Sequence, residues 1–291
     1  MICYVLNLGG HQARLQSFLQ QFDSSDLTGL ELRRFRAVDA ASVWPHARAL
    51  VYEPALARLA AVQRRGFRQT HAEMPSMGAI GCALSHMCIW LDMLYDAAAP
   101  ASQSYLVMED DARLPRCLLA SVNKALQGVP AGWDILLLGC RTPRPSMFTK
   151  HTTHMNIRLF QGTHAYLVSK AAVRKIFENG ALPLRVQIDA FLSGLAQAKK
   201  LKIYALPKHL VGVNLKGWGS SIQLDYDFEY SHAKLTYDSP FELATGSTGV
   251  EDLQRLDALR VQCGVERLRY KTRPTDTAKK PGSESNYEVT P

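Results

Sequence analysis

In Tyr105–Arg113, Y-L-V-M-E-D-D-A-R, four apolar residues run straight into three acids, Glu109, Asp110 and Asp111. The apolar run has the length and make-up of a buried strand. Adjacent carboxylates repel one another, so a position that tolerates three of them supplies a compensating cation, most simply a divalent metal held by oxygen ligands. The open end of a strand in an α/β sheet is also where ligands bind. Read alone, the triplet fits a solvated acidic turn ahead of the helix suggested by Leu114–Leu126 equally well, and the neighbouring segments have to decide.

Upstream, Gly78–Leu94 is a helix with apolar residues on two faces: Ile80, Ala83, Met87, Leu91 and Leu94 on one, Cys82, Ile89 and Met93 on the other. Such a helix is buried on most sides. Ser85 and His86 are polar residues in this dry element, and each needs a hydrogen-bond partner. Downstream, Trp133–Leu138 reads as another buried strand, and Arg141–Thr153, with two prolines, as a long loop able to close over a site. Ile157–Phe160 and Ala165–Val168 read as two short strands separated at Gly162. Ser169 then caps a helix that stops at Gly180.

At the N-terminus, Ile2–Leu8, then Gly9-Gly10, then a helix with Leu15, Phe18, Leu19 and Phe22 on one face give strand, turn and helix, the opening of an α/β unit. Arg14 lies in that helix's first turn, where a cation opposes the macrodipole, so the residue is either an exposed arginine or the partner of an anion such as a diphosphate. Arg33–Asp39 reads as a second strand running into a loop, and Pro54 and Gly66 bracket a further helix. Asp189 opens a helix, where a carboxylate is stabilised by the macrodipole; a simple cap explains it as well as a functional role does. Leu201–Leu206 and His209–Val213 are strand-like, and Glu251–Cys263 is a last amphipathic helix.

The whole chain, 291 residues with 47% apolar and 21% charged residues, matches a globular protein with ample core. We expect no apolar run long enough to span a bilayer, no signal peptide, and a cytoplasmic location. The 6 cysteines, without C-x-x-C pairs, read as reduced core residues. A net charge of +8 points to nucleic acid, an anionic membrane or phosphorylated ligands. Without a helix-turn-helix, zinc-finger or RNP pattern, nucleic acid is the weakest of these.

Taken together, V-L-N-L with Arg14, F-R-A-V-D, G-A-I-G-C-A-L-S-H, L-V-M-E-D-D, G-T-H-A-Y-L-V-S and Q-I-D-A-F-L, in this order over roughly residues 1 to 222, resemble glycosyltransferase family 25. The resemblance implies one GT-A type, Rossmann-like α/β domain over residues 1–270, with a mixed, mostly parallel sheet flanked by helices. It further implies inverting transfer of a sugar, galactose first, from a UDP-sugar to a glycan or lipid-linked glycan such as lipooligosaccharide, with Mn²⁺ or Mg²⁺. By the same resemblance Asp111 is a metal ligand with Glu109 as a second, Asp110 or Glu109 lies near the ribose, and Asn7, Arg14, Ala37, Asp39, Ser85 and His86 belong to the donor site. Asp189 is then the catalytic base.

The chain departs from the family pattern in two places. Gly9-Gly10-His11 replaces an Arg-rich turn, and Gly219-Ser220-Ser221-Ile222 lacks a carboxylate, which leaves His209 as a poor third metal ligand. Residues 271–291 read as a disordered basic and polar tail, and Arg267–Lys280 as a stretch able to touch an anionic membrane. A nucleotidyl- or phosphoryl-transferring enzyme and a non-catalytic sugar-binding module remain the competing readings; the absence of a P-loop and of G-x-G-x-x-G weighs against the first.

Overall fold

The computed structural model describes residues 1–145, 155–206, 209–214, 222, 246–270 and 287–290. Its centre is an eight-stranded sheet in the order β10-β9-β2-β1-β3-β6-β5-β7. The strands are β1 (Ile2–Leu8), β2 (Glu31–Ala37), β3 (Ser104–Glu109), β5 (Ile135–Pro145), β6 (Met155–Ser169), β7 (Ile203–Ala205), β9 (Val265–Tyr270) and β10 (Tyr287–Thr290); β4 (Ala112–Arg113) and β8 (Gly212–Val213) pair separately. The helices are α1 (Gln12–Asp23), α2 (Trp44–Arg48), α3 (Glu53–Arg65), α4 (Met77–Tyr95), α5 (Leu118–Gly128), α6 (Lys170–Glu178), α7 (Ile188–Gln197) and α8 (Val250–Cys263).

Strand alternation divides the apolar side chains between two cores. Tyr4, Leu6, Tyr105, Val107, Ile135 and Leu137 face one, with α4, α6 and α7; Cys3, Val5, Leu106, Met108, Leu136 and Leu138 face the other, with α1 and α5. Helices therefore cover both faces of the sheet, a Rossmann-like α/β arrangement. Only β2-β1-β3 and β5–β7 pair in parallel, and the expectation of a mostly parallel sheet is corrected accordingly. The causes are β6, antiparallel to β3, β5 and β7, and β9, antiparallel to β2 and β10.

β6 is one continuous strand rather than two. Gly162, with φ +79, kinks it without ending it, because glycine adopts this left-handed conformation at no steric cost. β5 extends to Pro145 into the stretch read as a loop, and residues 146–154 lie outside the described residues. Tyr287–Thr290, in the stretch read as a disordered tail, pairs antiparallel with β9, while 271–286 lies outside the described residues. Arg185–Ile188 forms no strand; the nearest pairing there is the bridge between Val51 and Leu184.

α4 corrects a further expectation, since its 19 residues are long and apolar enough to cross a bilayer by length and composition. Its apolar surface is covered by the core instead: Ile80, Ala83, Leu84, Ile89, Trp90 and Met93 are fully buried. Each large side chain so buried contributes roughly 1.5–3 kcal/mol. Ser76 caps the helix by accepting the Ala79 N–H, and its hydroxyl donates to Ile222 O at 2.6 Å. The six cysteines are all free thiols.

Candidate functional site

The carboxyl ends of the parallel strands β1, β2 and β3 come out side by side, at Leu8, Ala37 and Glu109. Strand alternation sends Glu109 and Asp110 to opposite sides of the sheet end, and Asp111 lies in the turn just beyond β3. Asp110 and Asp111 turn toward α1, where Arg14 Nη2 lies 2.5 Å from Asp110 and 3.2 Å from Asp111 Oδ2. Glu109 turns toward α4, where its Oε1 accepts the Thr163 hydroxyl at 3.0 Å and lies 3.5 Å from His86 Nε2.

Arg14 is thus a buried counter-ion to the acids rather than an exposed arginine. Asn7, also buried, donates to Asp110 at 2.7 Å and to His11 O, and accepts from Arg34 Nη2 at 2.6 Å. It ties the acid, the turn after β1 and β2 together. Ser85 is fully buried: its oxygen accepts the Val38 N–H at 2.8 Å and donates to Gly81 O. One turn earlier, Gly81 has no room for a side chain, because a Cβ would sit 2.3 Å from Val38 O. Gly81 and Ser85 together lock the chain after β2 onto α4, and so place Ala37 and Asp39 at the sheet end. Asp39 is exposed and accepts from Ser42 at 2.6 Å.

His86, also without exposure, stands in a chain of polar groups. Trp90 Nε1 donates to the Tyr166 hydroxyl at 3.0 Å, and that hydroxyl is 2.9 Å from His86 Nδ1. Ser85 therefore builds the site from behind, while His86, equally buried, presents Nε2 to Glu109.

These contacts set the charges. Burial opposes ionisation of Glu109, yet the hydrogen bond and charge of His86, with smaller help from His164 and Thr163, hold its pKa below the ordinary range. Asp111 goes the other way: burial, then repulsion by Glu109, push it up to about 7 in spite of Arg14. Asp111 Oδ1 is buried and has no hydrogen-bond partner among the described residues. An orphaned carboxylate oxygen whose charge is opposed by a second carboxylate is what a hard divalent ion relieves, so Glu109 and Asp111 fit Mn²⁺ or Mg²⁺. His209 is exposed and takes no part in this cluster; Gly219–Ser221 lies outside the described residues.

Asp189, at the second position of α7, is buried and held by two N–H donors and a neighbouring imidazole. Gly162 N–H reaches Oδ2 at 2.7 Å, Ala190 N–H reaches Oδ1 at 2.8 Å, and His71 Nε2 lies 3.1 Å from Oδ2. Burial would raise its pKa, but His71 and the two N–H groups outweigh burial and lower it. The N-cap of α7 is Gln187, so the simple-cap reading of Asp189 is replaced by a clamp between α7, β6 and the α3–α4 connection. His71 was not legible in the sequence: it sits in an aperiodic stretch, and only the fold brings it to Asp189.

The acids at the end of β3, the α4 glycine-serine lock and the buried Asp189 all carry motifs whose order can be compared with known proteins. Residues 1–192 match the family described as glycosyltransferase family 25 (LPS biosynthesis protein). The chain belongs to glycosyltransferase family 25. A glycosyltransferase 25 family member of Aedes aegypti is 25% identical over 235 residues, 78% of this chain and 36% of the mosquito protein. The human protein named inactive glycosyltransferase 25 family member 3 is 24% identical over 196 residues, 65% of this chain and 30% of that protein. The family 25 chain described here thus spans about a third of the length of these relatives. The crystal structure of mouse xyloside xylosyltransferase 1 in its apo form overlaps with a TM-score of 0.32 at 12% identity, covering 80% of this chain and 83% of the mouse chain, too weak an overlap to bear on the fold.

Proposed function

We propose that this family 25 chain is a metal-dependent, inverting glycosyltransferase that moves a sugar, galactose first, from a UDP-sugar to a hydroxyl of a glycan or lipid-linked glycan. The observation that carries the reading is Asp111 Oδ1, buried without a partner beside Glu109 at the end of β3. Glu109 and Asp111 would hold the Mn²⁺ or Mg²⁺, which supplies charge stabilisation to the leaving diphosphate.

The chain's own residues do the rest. Asn7 and Arg14 fix Asp110 and Asp111 at the sheet end, and Ala37 and Asp39 offer the main chain and carboxylate that a nucleoside would meet there. His86 and Thr163 keep Glu109 ionised. Asp189, ionised and held by Gly162 and Ala190, takes the acceptor proton. A protein working in the cytoplasm against an anionic membrane is the setting supported by the net charge of +8.

The deciding experiment incubates the protein with UDP-sugars, with and without Mn²⁺, and follows UDP release together with thermal stabilisation. Metal-dependent UDP release from one donor supports the reading; stabilisation by a UDP-sugar without release assigns the chain to a non-catalytic binding module. Arg14 already supplies a positive charge 3.2 Å from Asp111, and the human relative is named inactive; both favour that second reading.

A further inference from the structure

Glu109 has neighbours that the reading above leaves unused. Cys82 and His86 stand one turn apart on α4, so both project from the same helix face toward the end of β3. The thiol sulfur, an imidazole nitrogen and a carboxylate oxygen of Cys82, His86 and Glu109 lie within 4.8 Å of one another. Cys82 and Glu109 are partly exposed and His86 is buried, so the cluster has a solid floor and an open side. We propose that Cys82, His86 and Glu109 form a second cation site, selective for a borderline-soft divalent ion of the zinc type.

Three features of the surroundings support it. The ligand set is thiolate, imidazole and carboxylate, the mixture zinc takes and Mn²⁺ or Mg²⁺ does not prefer. A tetrahedral zinc with its usual bond lengths spaces its ligand atoms roughly 3.5 Å apart, and His86 Nε2 and Glu109 Oε1 already stand 3.5 Å apart. Behind His86, the Tyr166 hydroxyl lies within hydrogen-bond distance of Nδ1, the outer partner that a metal-binding histidine requires.

The electrostatics agree. Glu109, Asp189 and Asp111 surround the Cys82 thiol with negative charge. That same negative field draws in a cation. On binding, the thiol proton leaves to solvent. The imidazole gives up any proton on Nε2 and carries one on Nδ1, where the Tyr166 oxygen can accept it alongside the Trp90 N–H. Three ligands leave a fourth position open to water or substrate.

Because Glu109 belongs to both this site and the Glu109–Asp111 pair, the two ions exclude one another, and zinc should inhibit Mn²⁺-supported transfer. That consequence rests on the transferase reading; the binding itself does not.

Cobalt is the probe, since it substitutes for zinc and reports thiolate ligation by a charge-transfer absorption. In the full-length, metal-stripped protein, cobalt should produce this band, saturate at one ion per chain, and be displaced by zinc. Cys82→Ser should abolish the band although the other five cysteines remain, and Cys82→Ala should do the same with a melting temperature showing that the fold is intact. A band that persists in both variants, or cobalt binding without any thiolate band, overturns the proposal. If the transferase reading fails, the cobalt titration still gives its answer.

Discussion

Arg14 Nη2 lies within 3.2 Å of Asp111 Oδ2 and contacts Asp110 as well, with all three side chains largely buried. One guanidinium therefore balances two carboxylates beside a third, Glu109. Removing one member of a buried ion pair strands the remaining charges, at a cost of about 3–5 kcal/mol. Arg14→Met should lower the melting temperature of the metal-free protein steeply, and Mn²⁺ should recover more of the loss than it adds to the wild type. Equal metal-induced shifts in the two proteins would mean that no ion binds at these acids.

Asp111→Asn should behave in the opposite way. Its Oδ1 has no partner and its charge is opposed by burial and by Glu109, so the native fold gains little from ionisation there. The metal-free variant should melt no lower than the wild type. Transfer should nevertheless be lost, because a neutral amide is a poor ligand for a hard cation. Wild-type turnover of Asp111→Asn at saturating Mn²⁺ would remove Asp111 from the ligand set.

Gly81 and Ser85 give a prediction about structure alone. A methyl group at position 81 would meet Val38 O at 2.3 Å, so either α4 or the segment after β2 must shift. Gly81→Ala should cost about 1–3 kcal/mol, as overpacking does. Ser85→Ala should cost about 1–3 kcal/mol by leaving the buried Val38 N–H without an acceptor. Urea titrations of both variants check this, and wild-type midpoints would show that the lock between α4 and Val38 is dispensable.

The apolar run Tyr105–Met108 and the two apolar faces of Gly78–Leu94 were readable in the sequence because apolar patterning is a local property, and the structure places both in the core. The register of β6 was not: nothing local distinguishes a glycine that ends a strand from one that kinks it, and Gly162 does the latter. The acid triplet was visible as chemistry but not as geometry. That Glu109 points at His86 while Asp110 and Asp111 point at Arg14 depends on which helices pack on which face of the sheet. The burial of Ser85, His86 and Asn7 had the same origin, since a polar residue in a motif looks alike whether it lines a pocket or holds its wall.

Asp189 carries a pH signature. Its pKa is lowered in the folded protein, so it contributes stability that is fully present above the unfolded value of about 4 and is lost as pH falls through the lowered folded value. The stability difference between wild type and Asp189→Asn should therefore be constant near neutrality and shrink on acidification below about pH 4. A difference that grows in acid would contradict the assigned direction.

The same substitution tests the chemistry. The amide of Asp189→Asn keeps a single oxygen, so it cannot accept both the Gly162 N–H on one atom and the Ala190 N–H on the other, and one buried donor loses its acceptor. Asp189→Asn should then cost about 1–3 kcal/mol of stability, which a simple exposed helix cap would not. If Asp189 is also the base that takes the acceptor proton, kcat per folded molecule should fall by roughly 10²–10⁴-fold, while UDP-sugar affinity stays near that of the wild type. Binding has to be measured on the folded fraction, because the stability loss by itself would lower apparent activity. A variant that melts lower yet turns over normally per folded molecule leaves Asp189 as the clamp between α7 and Gly162. The base must then come from another carboxylate of the same cleft, Glu109 first, since it too is held ionised.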